Sequence, residues 1–173
     1  MPIRWKKVPY EIVKDPVYGY VRLYEHELQL INTSVMQRLR RIKQLSSAYL
    51  VYPGATHDRF SHSIGAMHIA GLFAEKLLEP LISDRSLSQG EAQSYIFLMR
   101  LWGLTHDLGH GPFSHAFEIA ILNNLSISHE YMSAKILSED AEIQKCFKNI
   151  EKKFSITISQ MVELLTKPRE EWT

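Results

Sequence analysis

From Ser34 the apolar residues Val35, Leu39, Ile42 and Leu45 recur at helical spacing, and Arg38, Arg40, Arg41 and Lys43 cover most of the remaining surface. That pattern predicts an amphipathic basic helix. Pro53-Gly54 marks a turn, and a second helix is expected from about Ser61 to Glu79, stopped by Pro80. Ser88 and Glu91 have capping-box spacing, in which a hydroxyl and a carboxylate satisfy each other's free backbone N–H groups. The helix they open runs through Ile96, Phe97, Leu98, Met99, Leu101, Trp102 and Leu104. It is apolar on nearly every side, which places it at the centre of the core. Gly109 and Pro112 mark its end, and further helices are expected at about 113–124, 128–138 and 140–150. Thr157 with Gln160 opens a last helix ended by Pro168. The one strand signal lies between Asp15 and Leu23, a turn feeding one or two short extended pieces. The expectation is a mainly α single domain over residues 1–173, with helices packed around the 91–108 segment and a short N-terminal β-hairpin or strand segment.

Composition narrows the chemistry. A chain of 173 residues, 45% hydrophobic, has enough core to fold without disulfide staples. The single cysteine, Cys146, excludes an intramolecular disulfide and paired-cysteine zinc sites, so any metal must be held by nitrogen and oxygen. Twenty Lys and Arg nearly cancel nineteen Asp and Glu, for a net charge of +1, so bulk charge predicts no nucleic-acid coat. No uncharged run approaches the roughly 18 residues of a membrane span. The positive N-terminus, Met1 to Lys7, has no apolar stretch behind it. The expectation is a soluble, cytoplasmic protein without a membrane partner.

Six of the eight histidines, His57, His62, His68, His106, His110 and His115, fall between positions 57 and 115. Asp107 is the informative neighbour. In the last turn of a helix it faces the negative end of the macrodipole, an unfavourable placement of roughly 0.3–1 kcal/mol before any burial. The apolar run preceding it puts this helix end inside the protein, where an unpaired carboxylate would cost several kcal/mol. Asp107 therefore needs a cation: an internal ion pair with His or Arg, or a divalent metal shared with His106. Adjacent helix positions point about 100° apart, so the two side chains converge only on an atom lying between them at the helix end. His62 stands at the start of its helix, with Arg59 three residues earlier, and guanidinium pairs bidentately with phosphate oxygens. Histidines, one Asp and one Arg together describe a site where a metal polarises a phosphoryl group while an arginine offsets its charge.

The same residues carry a family resemblance. His62 with His106-Asp107 resembles the H…HD signature of the HD-domain phosphohydrolases. The phrases 37–45, 52–63 and 106–115 are similar to the deoxynucleoside triphosphate triphosphohydrolase branch of that family, and the likeness covers about residues 13–135. The resemblance implies a divalent metal, Mn, Fe, Zn, Ni or Mg, held by His62, His106 and Asp107. It implies that Arg59 contacts the triphosphate, that Gln44 and Leu45 line the sugar pocket, and that His110 and His115 lie against the phosphates. His129 corresponds to the catalytic histidine, with His110 and Arg59 assisting. The implied reaction is attack of water on the α-phosphorus, releasing deoxynucleoside and intact triphosphate. A nucleotide substrate and a homo-oligomer are the implied partners.

Three positions depart from the family pattern. A second Asp that completes the metal shell belongs to a downstream sequence this chain does not contain, and the only Asp after Asp107 is Asp140. The expectation is the front portion of a longer enzyme, weak or inactive by itself. Asn32 stands where nucleotide-activated members carry an acidic residue, and Glu118 replaces a family Asp. Two other readings are kept: an HD-type nucleotide phosphohydrolase or phosphodiesterase of different specificity, and a non-catalytic module binding nucleotide or nucleic acid through the Arg38–Lys43 stripe.

Overall fold

The computed structural model describes residues 10–122, 124 and 127–167. It is mainly helical, with one short sheet. Strands β1 (Tyr10–Asp15) and β2 (Gly19–Tyr24) form an antiparallel hairpin in which Asp15 pairs with Gly19 and Tyr10 with Tyr24. Asp15 Oδ1 accepts from the Val17 and Tyr18 N–H groups at 2.8 and 2.9 Å, which fixes the turn. Helix α1 (Glu25–Ile31) follows directly and has no counterpart in the pattern-based expectation. Its signal was a capping box on an atypical cap, since the Tyr24 N–H donates to Glu27 Oε2 at 2.9 Å.

The basic helix expected from Ser34 breaks early. Helix α2 covers only Ser34–Arg38, a 3-10 turn takes Leu39–Arg41, and the chain extends at Ile42. There Ile42 O and His57 O accept from the Arg59 and Gln44 N–H groups, so backbone pairing with the segment ahead of the next helix outweighs local propensity. Helix α3 (Arg59–Ser83) begins with Asp58 as its cap, whose Oδ1 accepts from the Ser61 N–H at 2.8 Å. The helix also runs through Pro80 rather than stopping there. Pro80 is exposed, so water can reach the carbonyl that its missing N–H leaves unpaired.

Helix α4 (Gln89–Thr105) opens on the Ser88–Glu91 capping box and buries Ile96, Phe97, Leu101 and Leu104. It packs along α3. A Cβ on Gly103 would come 2.7 Å from the Ala66 carbonyl oxygen, so the glycine permits this close approach. After α4 come a one-turn helix α5 (His115–Phe117) and a π-helical turn (Glu118–Leu122) in place of the continuous helix expected at 113–124. Helices α6 (His129–Glu139), α7 (Ala141–Phe154) and α8 (Ile158–Thr166) complete the described bundle. Pro168, the expected stop of α8, lies outside the described residues. The core joins Met67, Leu101, Leu104 and Leu108 to Leu137, Phe147, Ile150 and Met161, so α4 is central, as its apolar circumference required.

Candidate metal centre

The HD pair occupies the C-terminal end of α4: His106 caps the helix and Asp107 to His110 turn away from it. The Asp107 side chain is the hub of the site and is 5% exposed. Arg59 Nη1 donates to its Oδ2 at 2.5 Å. His62 Nε2 is 3.5 Å from that same oxygen, while His106 Nε2 and His110 Nε2 are 3.2 and 3.5 Å from Oδ1. Both sequence-based partners for Asp107, an arginine and a histidine cluster, therefore surround it at once. Burial is the largest single influence on its carboxyl and opposes charge. The basic neighbours His106, Arg59, His110 and His62 together outweigh it and hold the carboxyl below the usual carboxylate range.

One imidazole nitrogen each from His62 and His106 and one carboxylate oxygen from Asp107 lie within 4.8 Å of one another. This group could hold a metal ion. Gly103 O, which only accepts, lies 2.9 Å from His106 Nδ1, so Nδ1 carries the proton. His106 Nε2 faces Asp107 Oδ1 at 3.2 Å, a spacing that a proton on Nε2 or a cation lying between the two atoms satisfies. His62 is held below its ordinary pKa by burial, against the opposing pull of Asp107, which favours the neutral imidazole that a metal binds. His62 and His106 are 33% and 23% exposed in their side chains, so the centre opens to solvent on that side. A divalent ion held by these two imidazoles and Oδ1 fits the donor set.

Asp107, His110 and His129 form a second close group, but its rings argue for a different use. His110 and His129 stack at 4.0 Å with 19° between planes. Imidazole lone pairs lie in the ring planes, so stacked rings aim in parallel rather than at one point. His129 instead forms a dyad: Glu118 Oε1 is 2.8 Å from its Nδ1 and also accepts from its backbone N–H at 3.1 Å. His129 Nε2 lies 3.2 Å from Glu130 Oε1. Glu118 reaches His129 because it lies on the π-helical turn, a feature without a sequence pattern.

The remaining predicted residues are placed as follows. Arg59 is buried and directed inward: besides Asp107, its Nε donates to Ser114 Oγ at 3.0 Å, and Nη2 is buried without a hydrogen-bond partner. Ser114 in turn donates to Lys43 O and adopts φ 51°, a left-handed conformation held by these two bonds. Gln44 and Leu45 lie in the loop before α3, and Leu45 is 50% exposed. Neither joins the histidine cluster by a hydrogen bond or ion pair among the described residues. The His115 side chain lies outside the described residues. The basic stripe does not form one face. Arg38 donates to Leu108 O and His110 O, Arg40 covers the Phe60 ring at 3.6 Å, and Lys43 Nζ donates to Thr56 O. A continuous phosphate-binding stripe is thereby dispersed.

The HD-domain family model matches residues 59–171, a span that contains His62, the HD pair and His129. The chain belongs to the HD-domain family. Among curated relatives, the deoxynucleoside triphosphate triphosphohydrolase SAMHD1 of Danio rerio is 43% identical over 110 residues, which is 64% of this chain and 17% of the relative. The SAMHD1 homolog of Dictyostelium discoideum is 37% identical over 131 residues, 74% of this chain and 24% of its own length. An uncharacterized protein of Methanocaldococcus jannaschii is 38% identical over 125 residues, 72% of this chain and 23% of the relative. The chain thus spans less than a quarter of each of these relatives. Among the described residues no helix is long and apolar enough to cross a membrane.

Proposed function

We propose that this HD domain belongs to a metal-dependent phosphohydrolase that converts deoxynucleoside triphosphates to deoxynucleoside and triphosphate. The observation that carries the reading is the approach of His62, His106 and Asp107 to within 4.8 Å on a solvent-open side of the fold. The relatives' name supports the substrate class. A divalent ion bound there supplies Lewis acidity, polarising the α-phosphoryl group and lowering the pKa of water.

The chain's own residues supply orientation and proton transfer. Arg59 holds Asp107 Oδ2, which fixes the carboxylate and leaves Oδ1 facing His106 and His110. Water adds its oxygen to the α-phosphorus and the bond from phosphorus to the 5′-oxygen breaks. The departing 5′-oxygen then takes a proton. His129 is the donor for that oxygen, because Glu118 Oε1 takes its Nδ1–H and so fixes the orientation of the ring. His110, stacked on His129 and 3.5 Å from Asp107 Oδ1, lies between the two halves of the site and assists at the phosphates.

The test is product analysis. Protein supplied with Mn²⁺ and each deoxynucleoside triphosphate should release deoxynucleoside and inorganic triphosphate in equal amounts, and chelation should abolish the reaction. Monophosphate with pyrophosphate, or stepwise orthophosphate, would instead assign a different HD-type phosphohydrolase. No metal-dependent cleavage of any nucleotide, either by this chain or by a form extended to carry the second Asp, with nucleotide still bound, would support the non-catalytic reading.

A further inference from the structure

Three groups of the centre, His106, Asp107 and His110, ride on a five-residue turn at the end of α4. A helix leaves its last four carbonyls without intrahelical partners, and here that end is buried. Two side chains from elsewhere bond the backbone of the turn that follows it. Ser133, in α6 and 0% exposed, donates its hydroxyl to His106 O at 2.8 Å and accepts the Gly109 N–H at 2.7 Å. Arg38, in α2, donates Nη2 to Leu108 O at 2.5 Å and Nη1 to His110 O at 2.9 Å. Its cation also meets the negative end of the α4 dipole, which offsets the unfavourable placement of Asp107.

The geometry points to Ser133 and Arg38 as positioning residues that together clamp this turn and so set the aim of His106, Asp107 and His110. Neither touches a reacting atom. Ser133 lies one helical turn after His129, so a single hydroxyl couples the backbone of the metal-side histidine to the helix that begins with the proton-donating one. Gly109 makes the coupling possible, since a Cβ there would meet His129 O at 2.1 Å and the Ser133 nitrogen at 2.5 Å. Arg38 is thereby removed from the exposed basic residues and given a task inside the fold.

The metal readout below rests on the proposed centre; the amide readout does not. In Ser133→Ala, Mn²⁺ affinity should fall by about ten- to a hundredfold, the range seen when outer-shell partners are lost. The Gly109 amide should exchange with solvent at least about tenfold faster, and turnover should fall with little change in KM. Arg38→Lys, which keeps the charge but not the fork, should lie between wild type and Arg38→Met. Asp140→Ala removes only the cap of α7, so it should lower the melting temperature while leaving Mn²⁺ affinity unchanged. Wild-type Gly109 exchange in Ser133→Ala overturns the clamp. So does an equal loss of Mn²⁺ affinity in Ser133→Ala and Asp140→Ala, because general destabilisation would then explain both. If Ser133→Ala does not fold, the Arg38 pair decides by the same exchange of Gly109. A wild-type chain that binds no Mn²⁺ overturns the metal reading instead, and amide exchange then decides the clamp.

Discussion

Among the described residues two arginine–carboxylate pairs are buried, and they are built to different ends. Between Glu27 of α1 and Arg100 of α4 both carboxylate oxygens are taken by the guanidinium. Arg100 Nε and Nη2 donate to the two carboxylate oxygens at 2.5 and 2.8 Å, Nη2 also reaches Arg22 O, and Glu27 accepts from the Tyr24 N–H. The Glu27 side chain is 0% exposed and no histidine binds it. Between Arg59 and Asp107 the pairing is incomplete. Arg59 Nη2 has no hydrogen-bond partner among the described residues, one carboxylate faces three imidazoles, and two of those rings reach solvent. A buried pair in which both carboxylate oxygens are taken by one guanidinium is closed, and ties elements together. A carboxylate whose second oxygen faces imidazole nitrogens of a solvent-open cluster keeps capacity for a further cation.

Substitution at the closed pair should produce the largest effect on stability. Breaking it from one side leaves an uncompensated buried charge, so Glu27→Gln should cost about 3–5 kcal/mol in denaturant unfolding. The molecules that remain folded should bind Mn²⁺ as wild type does. A parallel loss of metal binding in the folded fraction would erase the distinction between the two pairs.

The open site should respond in the opposite sense. His62→Ala removes a partly exposed side chain and should change stability by less than about 1 kcal/mol. Mn²⁺ affinity should nonetheless fall by at least the hundredfold that outer-shell losses can reach. Calorimetric titration beside a melting curve reads both quantities, and a variant that melts early but binds normally would make His62 structural.

Within the site, His129→Ala should lower turnover by about a hundredfold or more with metal retained, the loss expected for a general acid. Glu118→Gln should have a smaller effect of about tenfold, because the amide can still accept from Nδ1–H but no longer stabilises the protonated ring. Normal turnover in His129→Ala would remove it from the reaction.

The smallest effect belongs to His26, beside the closed pair and packed between the Phe97 and Phe154 rings. Burial, followed by Lys153, pushes its pKa down. The unfolded chain therefore takes up the proton first as pH falls below about 6.5, and stability present above that value is lost below it. Comparing unfolding at pH 7.5 and 5.5, His26→Leu should lose less than wild type. An unchanged difference would show that His26 does not contribute.

The long apolar run of α4 and the capping boxes at Ser88 and Thr157 were legible because each depends on neighbours within one or two helical turns. The expected basic helix failed because backbone pairing of Ile42 and Gln44 with residues far along the chain outweighs local periodicity. Pro80 misled because the helix carries it on a solvated face. In the site, the misplaced charge on Asp107 was visible in the sequence, and so was the need for a cation. The bond between Glu118 and His129 depends on a π-helical turn, and the reach of Arg38 and Ser133 to the HD turn spans from 24 to 72 positions. No period in the chain encodes contacts of that kind.

The most direct test of the metal centre is an anomalous difference map from crystals grown or soaked with Mn²⁺. The account predicts one peak about 2.0–2.3 Å from His62 Nε2, His106 Nε2 and Asp107 Oδ1. A map with no peak there at saturating Mn²⁺, or with its only peak among Glu118, His129 and Glu130, would contradict it.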